Sequence, residues 1–397
     1  MARRRTVDEH AARIAALVGP SLNQRDAEPV ALAAALGRVT SEPVVTAGPL
    51  PPFRNAQMDG YAARHADVRR TPVVLPVDGV QAAGATAEAV RLAEGHLLKV
   101  MTGAPVPEGA DCVVPIEQTA EEDGGVRILR AVEPGAFVRE AGSDALPGTV
   151  VVPAYTHLAP RHLAAAAAAG VAEVAVRRRP RVAVIATGAE VVPPGTPLAL
   201  GQVHDVNGIA LASLAAESGA EVVLVDLTPD DPAAFERSLQ KAVAAADLVL
   251  TAGGVSKGDF EVVRQVLEPL GADVTEIAMQ PGGPQGFASV RGVPVVCLPG
   301  NPVSAQVSFT VFLRPLVRAA VGLPPVPVQT MPLAAAVHSP KGKRQWLRGV
   351  VKHGSVYPVG GPGSHLVVAM AGADVLIDVP AETDFVAAGS NVAVLPL

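Results

Sequence analysis

Apolar and polar positions follow two rhythms along this chain, and the change between them falls near Arg181. Beyond it, apolar runs of strand length (RVAVIATG, AEVVLVDL, ADLVLTAGG and VPVVCLPG) alternate with segments whose apolar residues recur at helical spacing. Those segments are HDVNGIALASLAAESG, DPAAFERSLQKAVAAA, DFEVVRQVLEPLG and NPVSAQVSFTVFLRPLVRAAVG; in the third, Phe260, Val263, Val266 and Leu267 share one face. Strand and helix in alternation predict a doubly wound α/β domain over residues 181–322. Between its last two units, ADVTEIAMQPGGPQGFASVRG reads as two strands around a Pro/Gly loop.

Upstream the pattern is shorter and more broken. An acid-flanked helix (Val7 to Val18) and a second helical stretch (Val30 to Leu36) precede the proline-rich turn LPPFRNAQMDGY. HLLKVMTG, DCVVPIEQ and VRILRAV then read as short strands separated by Gly/Pro turns, predicting a β-rich lobe over residues 55–139. This lobe is expected as an insertion in an elongated helical and strand platform, residues 1–54 and 140–180. The platform's second part contains GTVVVPAYTHLAPRHLAAAAAAG, a strand and an alanine-rich helix. After Gly322, the proline-rich PPVPVQTMPLAAAV leads into RQWLRGVV and ADVLIDV, strands of a C-terminal β domain over residues 323–397. The fold class is α/β and multidomain.

Composition sets outer limits on function. A chain of 397 residues exceeds one ordinary core and suggests two to four domains. With 49% hydrophobic residues, many of them alanine, and 18% charged, it reads as globular throughout. A net charge of −6 and 3% aromatic residues offer neither a basic field nor a stacking platform, which argues against nucleic acid. The longest low-charge stretch, Leu163 to Val176, contains Glu173 and falls short of the ~20 residues of a membrane span. MARRRTVDEH begins like a signal sequence, but acids follow at once without an apolar run, so a cytoplasmic protein is expected. Cys112 and Cys297 lie far apart in apolar runs, which excludes a disulfide framework and reads as two core thiols.

Two glycine-rich loops carry the candidate chemistry: TAGGVSKGDFE (Thr251 to Glu261) and LPGNPVSA (Leu298 to Ala305), each joining a strand to a helix. Glycine lets the backbone approach a ligand, and the first N–H groups of a helix lack intrahelical acceptors, so both loops present donors to an anion. In open sheets ligands bind beyond the carboxyl ends of the strands. Thr187 to Glu190, Thr251 to Glu261, Gln280 to Gln285 and Pro299 to Ser304 are therefore expected to converge on a pocket for phosphate-like groups. Taken singly, several polar residues have plain structural readings. Asp59 in MDGY reads as an Asp-Gly turn, Asp230 and Asp259 as helix caps, and Thr102 in MTGAPVP as a turn hydroxyl. Ser256 and Ser304 read equally as caps and as phosphate donors, and Asp205 as a cap or a nucleotide contact. His157 and His162, five apart, do not share a helical face and have no cysteine or third histidine nearby, so they read as platform residues.

In order along essentially the whole chain stand PPFRNAQMDGYAAR, MTGAPVPEGADCVV, REAGSDALPGT, ATGAE, GGVSKGDFE and LPGNPVSA. On these motifs the chain resembles the molybdopterin molybdotransferases, the MoeA and gephyrin E-domain family. The resemblance implies an enzyme of molybdenum cofactor biosynthesis. It would take adenylylated molybdopterin and molybdate, release AMP and leave the metal on the dithiolene, with Mg²⁺ as cation. It implies catalytic roles for Asp59, Thr102, Asp144, Glu190, Asp259 and Glu261, with Glu190, Asp259 and Glu261 holding the metal. Molybdopterin and nucleotide contacts fall to Arg139, Thr187, Gly188, Gly253, Gly254, Val255, Ser256, Pro299, Gly300, Asn301, Pro302 and Ser304. A homodimer is implied, with the β lobe of one subunit reaching the α/β domain of the other. Molybdopterin adenylyltransferase and molybdoenzyme acceptors are the implied partners.

The chain departs from the family where AMQPGGPQGF has Gln280 and Gly283 in place of two lysines implicated in oxyanion binding. Each hydrogen bond to a charged group contributes about 1.5–3 kcal/mol, so other groups are expected to compensate. The implied molybdate contacts are Lys257, Gln280, Arg344 and Arg348 of KGKRQWLR, and Ser364 of GPGSHL, with Lys257 supplying part of the missing charge. Two alternatives stand beside the transferase. A non-catalytic molybdopterin-binding scaffold or storage protein follows from the absent lysines, and a molybdopterin adenylyltransferase from the α/β domain taken alone.

Overall fold

The computed structural model describes residues 4–23, 26–84, 91–255 and 261–397. The chain divides into two compact units, one of Met1–Glu28 with Arg177–Leu397 and one of Pro29–Val176.

The larger unit is built on a six-stranded sheet: β1 (Arg181–Thr187), β2 (Glu221–Thr228), β3 (Leu248–Ala252), β4 (Asp273–Glu276), β5 (Pro284–Val290) and β6 (Val293–Leu298). Its order is β2-β1-β3-β6-β5-β4, with the first four parallel and the last two added antiparallel. Side chains alternate between faces along a strand. Val182, Val184, Leu248 and Leu250 thus enter one core cluster, while Ala183, Ile185 and Val249 enter the other. Both faces are covered, which is why these strands are continuous apolar runs rather than alternating ones.

Helix α1 (Val7–Leu22) opens with a capping box in which Glu9 N donates to Thr6 Oγ1 at 3.2 Å and Thr6 N donates to Glu9 Oε2 at 2.9 Å. Ile14, Val18 and Leu22, spaced four apart, carry this helix into the core that also holds Val182 and Leu250. The sequence reading grouped residues 1–54 with the platform; the apolar stripe of α1 instead packs within the larger unit. Further helices are α2 (Asn207–Glu217), α3 (Pro232–Ala245), α4 (Val262–Leu267) and α5 (Pro302–Ser308), the last continuing through a π turn at Phe309–Leu313 into α6 (Arg314–Ala320), with a short α7 (Val367–Ala371) beyond. In the same unit, Arg344–Lys352 pairs with Val375–Val379 in a second sheet, and Met279–Gln280 joins its edge in parallel.

In the smaller unit, Gly60–Ala63 lies between Leu97–Val100 and Cys112–Pro115 in a four-stranded sheet. Alternate residues again serve two clusters: Ala62, Leu98 and Val113 on one side, Tyr61, Leu97 and Val114 on the other. Helix Pro160–Ala168 buries Ala166 in a separate cluster with Val152 and Leu158. The expected helix from Val30 to Leu36 is instead the strand Ala27–Ala31 followed by a 3₁₀ turn. Pairing of Ala27–Ala31 with Glu173–Arg177 takes up the backbone hydrogen bonds that a short helix there would have used, so tertiary pairing overrides the local helical pattern. Cys112 and Cys297 are both buried and free, and burial pushes each thiol up to about 12.

Candidate functional site

A cleft of about 660 Å³ opens at the carboxyl ends of the parallel strands. The chain leaves β1 for β2 on one side, whereas β3 lies on the other, so the cleft occupies the point where strand order reverses. Thr187, Gly188 and Glu190 line it from the end of β1, and Gly253, Gly254, Val255 and Glu261 from the segments around the first glycine loop. Gln280 enters from the β4–β5 connection, and Pro299, Gly300, Asn301 and Ser304 from the second glycine loop. Ser364 and Pro362 complete the wall from the C-terminal segment. Ser256, Lys257 and Asp259 lie outside the described residues.

The glycines are required by contact as well as by conformation. Gly253 has φ +97°, and a Cβ there would lie 2.4 Å from the Thr187 carbonyl oxygen. A Cβ on Gly300 would lie 3.2 Å from Gly253 Cα, so the two loops meet backbone to backbone. Pro302 opens α5, where its missing N–H costs nothing. The next N–H, of Val303, donates to Ser364 O at 3.0 Å, so part of that helix end is already satisfied by the protein.

Asp230 accepts from Thr187 Oγ1 and from Ala189 N, each at 2.9 Å, and thereby fixes the end of β1. The capping role that sequence suggested for Asp230 belongs to the next residue: Ala234 N donates to Asp231 Oδ2 at 2.7 Å. Asp205 accepts from Gly208 N at 2.9 Å, at the start of α2. Asn207, which sequence reasoning did not single out, also lines the cleft and donates from Nδ2 to Gly300 O at 2.7 Å. Its signal was its place in HDVNG, at the first turn of a helix facing the sheet's carboxyl edge.

The basic run of the C-terminal segment is otherwise engaged. Arg344 makes a two-pronged ion pair with Asp378 at 2.8 and 2.6 Å, reaches Asp8 at 3.3 Å and stacks on Trp346. Arg348 is buried and donates to Gly363 O at 3.0 Å and to Gly361 O. Neither lines the cleft; Arg348 instead braces the turn that carries Ser364. At Gly283, a Cβ would lie 2.5 Å from Glu276 Oε1, so the carboxylate occupies the room a side chain would need.

Asp59, Thr102, Arg139 and Asp144 belong to the smaller unit. Asp59 Oδ1 accepts from Thr102 N at 2.7 Å and from Thr102 Oγ1 at 2.8 Å. Those two bonds, with Lys99 nearby, hold this exposed carboxyl below the usual range, so it is a preorganised anion at neutral pH. Thr102 therefore serves Asp59 rather than its own turn. Gly60 is also more than a turn residue, since a Cβ there would lie 2.1 Å from the Val114 carbonyl oxygen. Arg139 donates to Asn55 Oδ1 at 3.2 Å, and the backbone of Asp144 donates to Leu50 O at 2.9 Å.

A doubly wound domain with two apposed glycine loops at the strand reversal is the architecture of a molybdopterin-binding domain, and residues 183–319 match the family model described as the probable molybdopterin binding domain. Residues 5–170 match the MoeA N-terminal region (domain I and II), and residues 330–397 the MoeA C-terminal region (domain IV). The chain belongs to the MoeA family. It is 42% identical over 387 residues to molybdopterin molybdenumtransferase 2 of Mycobacterium tuberculosis, covering 93% of this chain and 94% of that one. With the molybdopterin molybdenumtransferase of Haemophilus influenzae it shares 35% identity, covering 91% and 92%. The crystal structure of a molybdopterin biosynthesis MoeA protein from Pyrococcus horikosii superimposes with a TM-score of 0.81 at 30% identity, covering 99% of each chain.

Proposed function

We propose that this chain is a molybdopterin molybdenumtransferase that completes the molybdenum cofactor, using adenylylated molybdopterin and molybdate and releasing AMP. The observation that carries this reading is the cleft itself. Two glycine loops offer backbone donors to phosphate, and Glu190 and Glu261 stand on the same walls. Thr187, Gly188, Gly253, Gly254, Val255, Pro299, Gly300, Asn301 and Ser304 would cradle the pterin phosphate and nucleotide. Gln280 and Ser364 would meet the oxyanion, with Arg348 behind the Ser364 turn.

The described residues contain no group of three or more metal-ligating side chains. Mg²⁺ asks for less than that, being held by one or two carboxylates together with substrate phosphate and water. Glu190 and Glu261 fit this demand and would hold it, where it would draw charge from the phosphoanhydride. Asp59, kept ionised by Thr102, is proposed to act in the same reaction. No described helix is long and apolar enough to cross a membrane; we place the protein in the cytoplasm and propose that it works as a homodimer. A second reading, a molybdopterin-binding scaffold, draws on the neutral Gln280 and the bare Gly283.

Single-turnover conversion of adenylylated molybdopterin, with AMP followed in Mg²⁺ with and without micromolar molybdate, separates the two. Molybdate-dependent AMP release is expected. Tight substrate binding with no AMP release at any molybdate concentration would establish the scaffold instead.

A further inference from the structure

Of the residues that the β4–β5 connection contributes to the cleft, only Gln280 carries a polar side chain. A primary amide has one acceptor and two N–H donors, and which end faces the cleft decides whether an anion is attracted or repelled there. Gln280 and Gln345 are paired across two parallel strands, and Gln345 Nε2 donates to Gln280 Oε1 at 2.7 Å. The carbonyl of Gln280 is thereby occupied, and no described residue accepts from its Nε2.

Gln345 is 1% exposed, and its own Oε1 has no partner among the described residues. With Nε2 of Gln345 as the donor, Gln280 is held by the carbonyl end of its amide. The backbone beneath is fixed as well. Gln285 Nε2 donates to Gly282 O at 2.8 Å and to Ser308 Oγ at 2.9 Å, so the connection is bolted to α5. With Glu276 filling the space beside Gly283, position 280 is where this segment can offer a side-chain donor.

We infer that Gln345 is a positioning residue: it locks Gln280 with its N–H₂ toward the cleft, so that a tetrahedral oxyanion is met there by an oriented neutral donor. The inference rests on the transferase reading for the identity of the oxyanion, molybdate. It assigns Gln345 a task that its burial alone would not reveal, since a hydrophobic side chain would fill the same space without directing the neighbouring amide.

The test is calorimetric titration of molybdate into the full chain and three variants, with circular dichroism and melting curves to confirm the fold. In Gln345→Glu, titrated at a pH where the introduced carboxyl is ionised, the carboxylate only accepts, so Gln280 must turn its N–H₂ away and present its carbonyl to the cleft. Molybdate affinity is expected to fall about tenfold or more, and by a similar factor in Gln280→Leu. The double variant is expected to bind no more than about threefold more weakly than either single one, because both changes remove one contact. Affinity for adenylylated molybdopterin should stay within about threefold of wild type, about half the ~1.4 kcal/mol of a tenfold change.

Wild-type affinity in Gln345→Glu, additive losses in the double variant, or equal weakening toward molybdate and adenylylated molybdopterin would each overturn the inference. So would a wild-type chain that binds no molybdate. Inorganic phosphate is titrated in parallel, and a loss confined to phosphate would reassign the donor to the substrate's phosphate and overturn the molybdate seat. Because binding is read directly, a chain that binds molybdate through Gln280 yet releases no AMP would defeat the transferase reading and leave the seat standing.

Discussion

His10 shows how one buried side chain can tie this fold to pH. It lies between Phe287 and Phe312, with ring centroids at 5.8 and 5.0 Å, and Gln285 is the polar side chain beside its ring, too poorly aligned for a well-formed hydrogen bond. Burial, reinforced by Arg5, lowers its pKa from 6.5 to about 4. The folded state therefore holds His10 neutral where the unfolded chain would bind a proton. Its contribution is fully present above pH 6.5 and is lost as pH falls toward 4, a total on the order of 3 kcal/mol. Denaturant unfolding at several pH values should show this loss in the wild type, and a shallower loss over that window in His10→Leu. Parallel curves would remove His10 from the account. Asp59 has the opposite character: exposed, ionised and held by Thr102, it is a group whose charge is kept ready at neutral pH.

At the scale of elements, the strand-to-loop junctions decide the cleft. Gly253 combines a left-handed backbone with close approach to Thr187, and Gly300 then packs on Gly253. Gly253→Ala places a methyl group 2.4 Å from the Thr187 carbonyl oxygen at φ +97°, so the first glycine loop must move away from the end of β1. We expect destabilisation above 2 kcal/mol, beyond the ~1 kcal/mol typical of point substitutions, with loss of adenylylated-substrate binding. Chemical denaturation and calorimetric titration check the two effects. Unchanged binding would mean that the loop tolerates this displacement. The sequence motif TAGGVSKGDFE announced an anion-binding loop, but its tight contact with LPGNPVSA became visible only when two strands lay side by side.

On the scale of the whole molecule, two units with separate cores are expected to unfold as separable transitions. Gly60→Ala tests this, because a methyl group there meets Val114 O at 2.1 Å and touches only the smaller unit's sheet. Scanning calorimetry should show one transition moved down by roughly 4–8 °C, the shift given by about 2 kcal/mol in a domain of this size, with the other unmoved. A single transition shifting as a whole would show that the units unfold as one.

The α/β architecture was legible from residue order because burial on both sheet faces demands continuous apolar strands, and helical spacing between them leaves few other arrangements. The two glycine loops were legible for a related reason, since a backbone that must approach a ligand or another backbone admits no side chain. Pairings between distant segments were not. KGKRQWLR looked like a free basic run, yet Asp378 and Asp8 take Arg344, and the carbonyls of Gly361 and Gly363 take Arg348. Asp230 read as a helix cap until the end of β1 arrived beside it and the cap fell to Asp231. Gln345 read as an ordinary strand residue until a parallel pairing placed it beside Gln280. Local conformation and burial follow from each residue's own chemistry and its near neighbours, whereas the partner of a charge or an amide is set by which remote backbone arrives next to it.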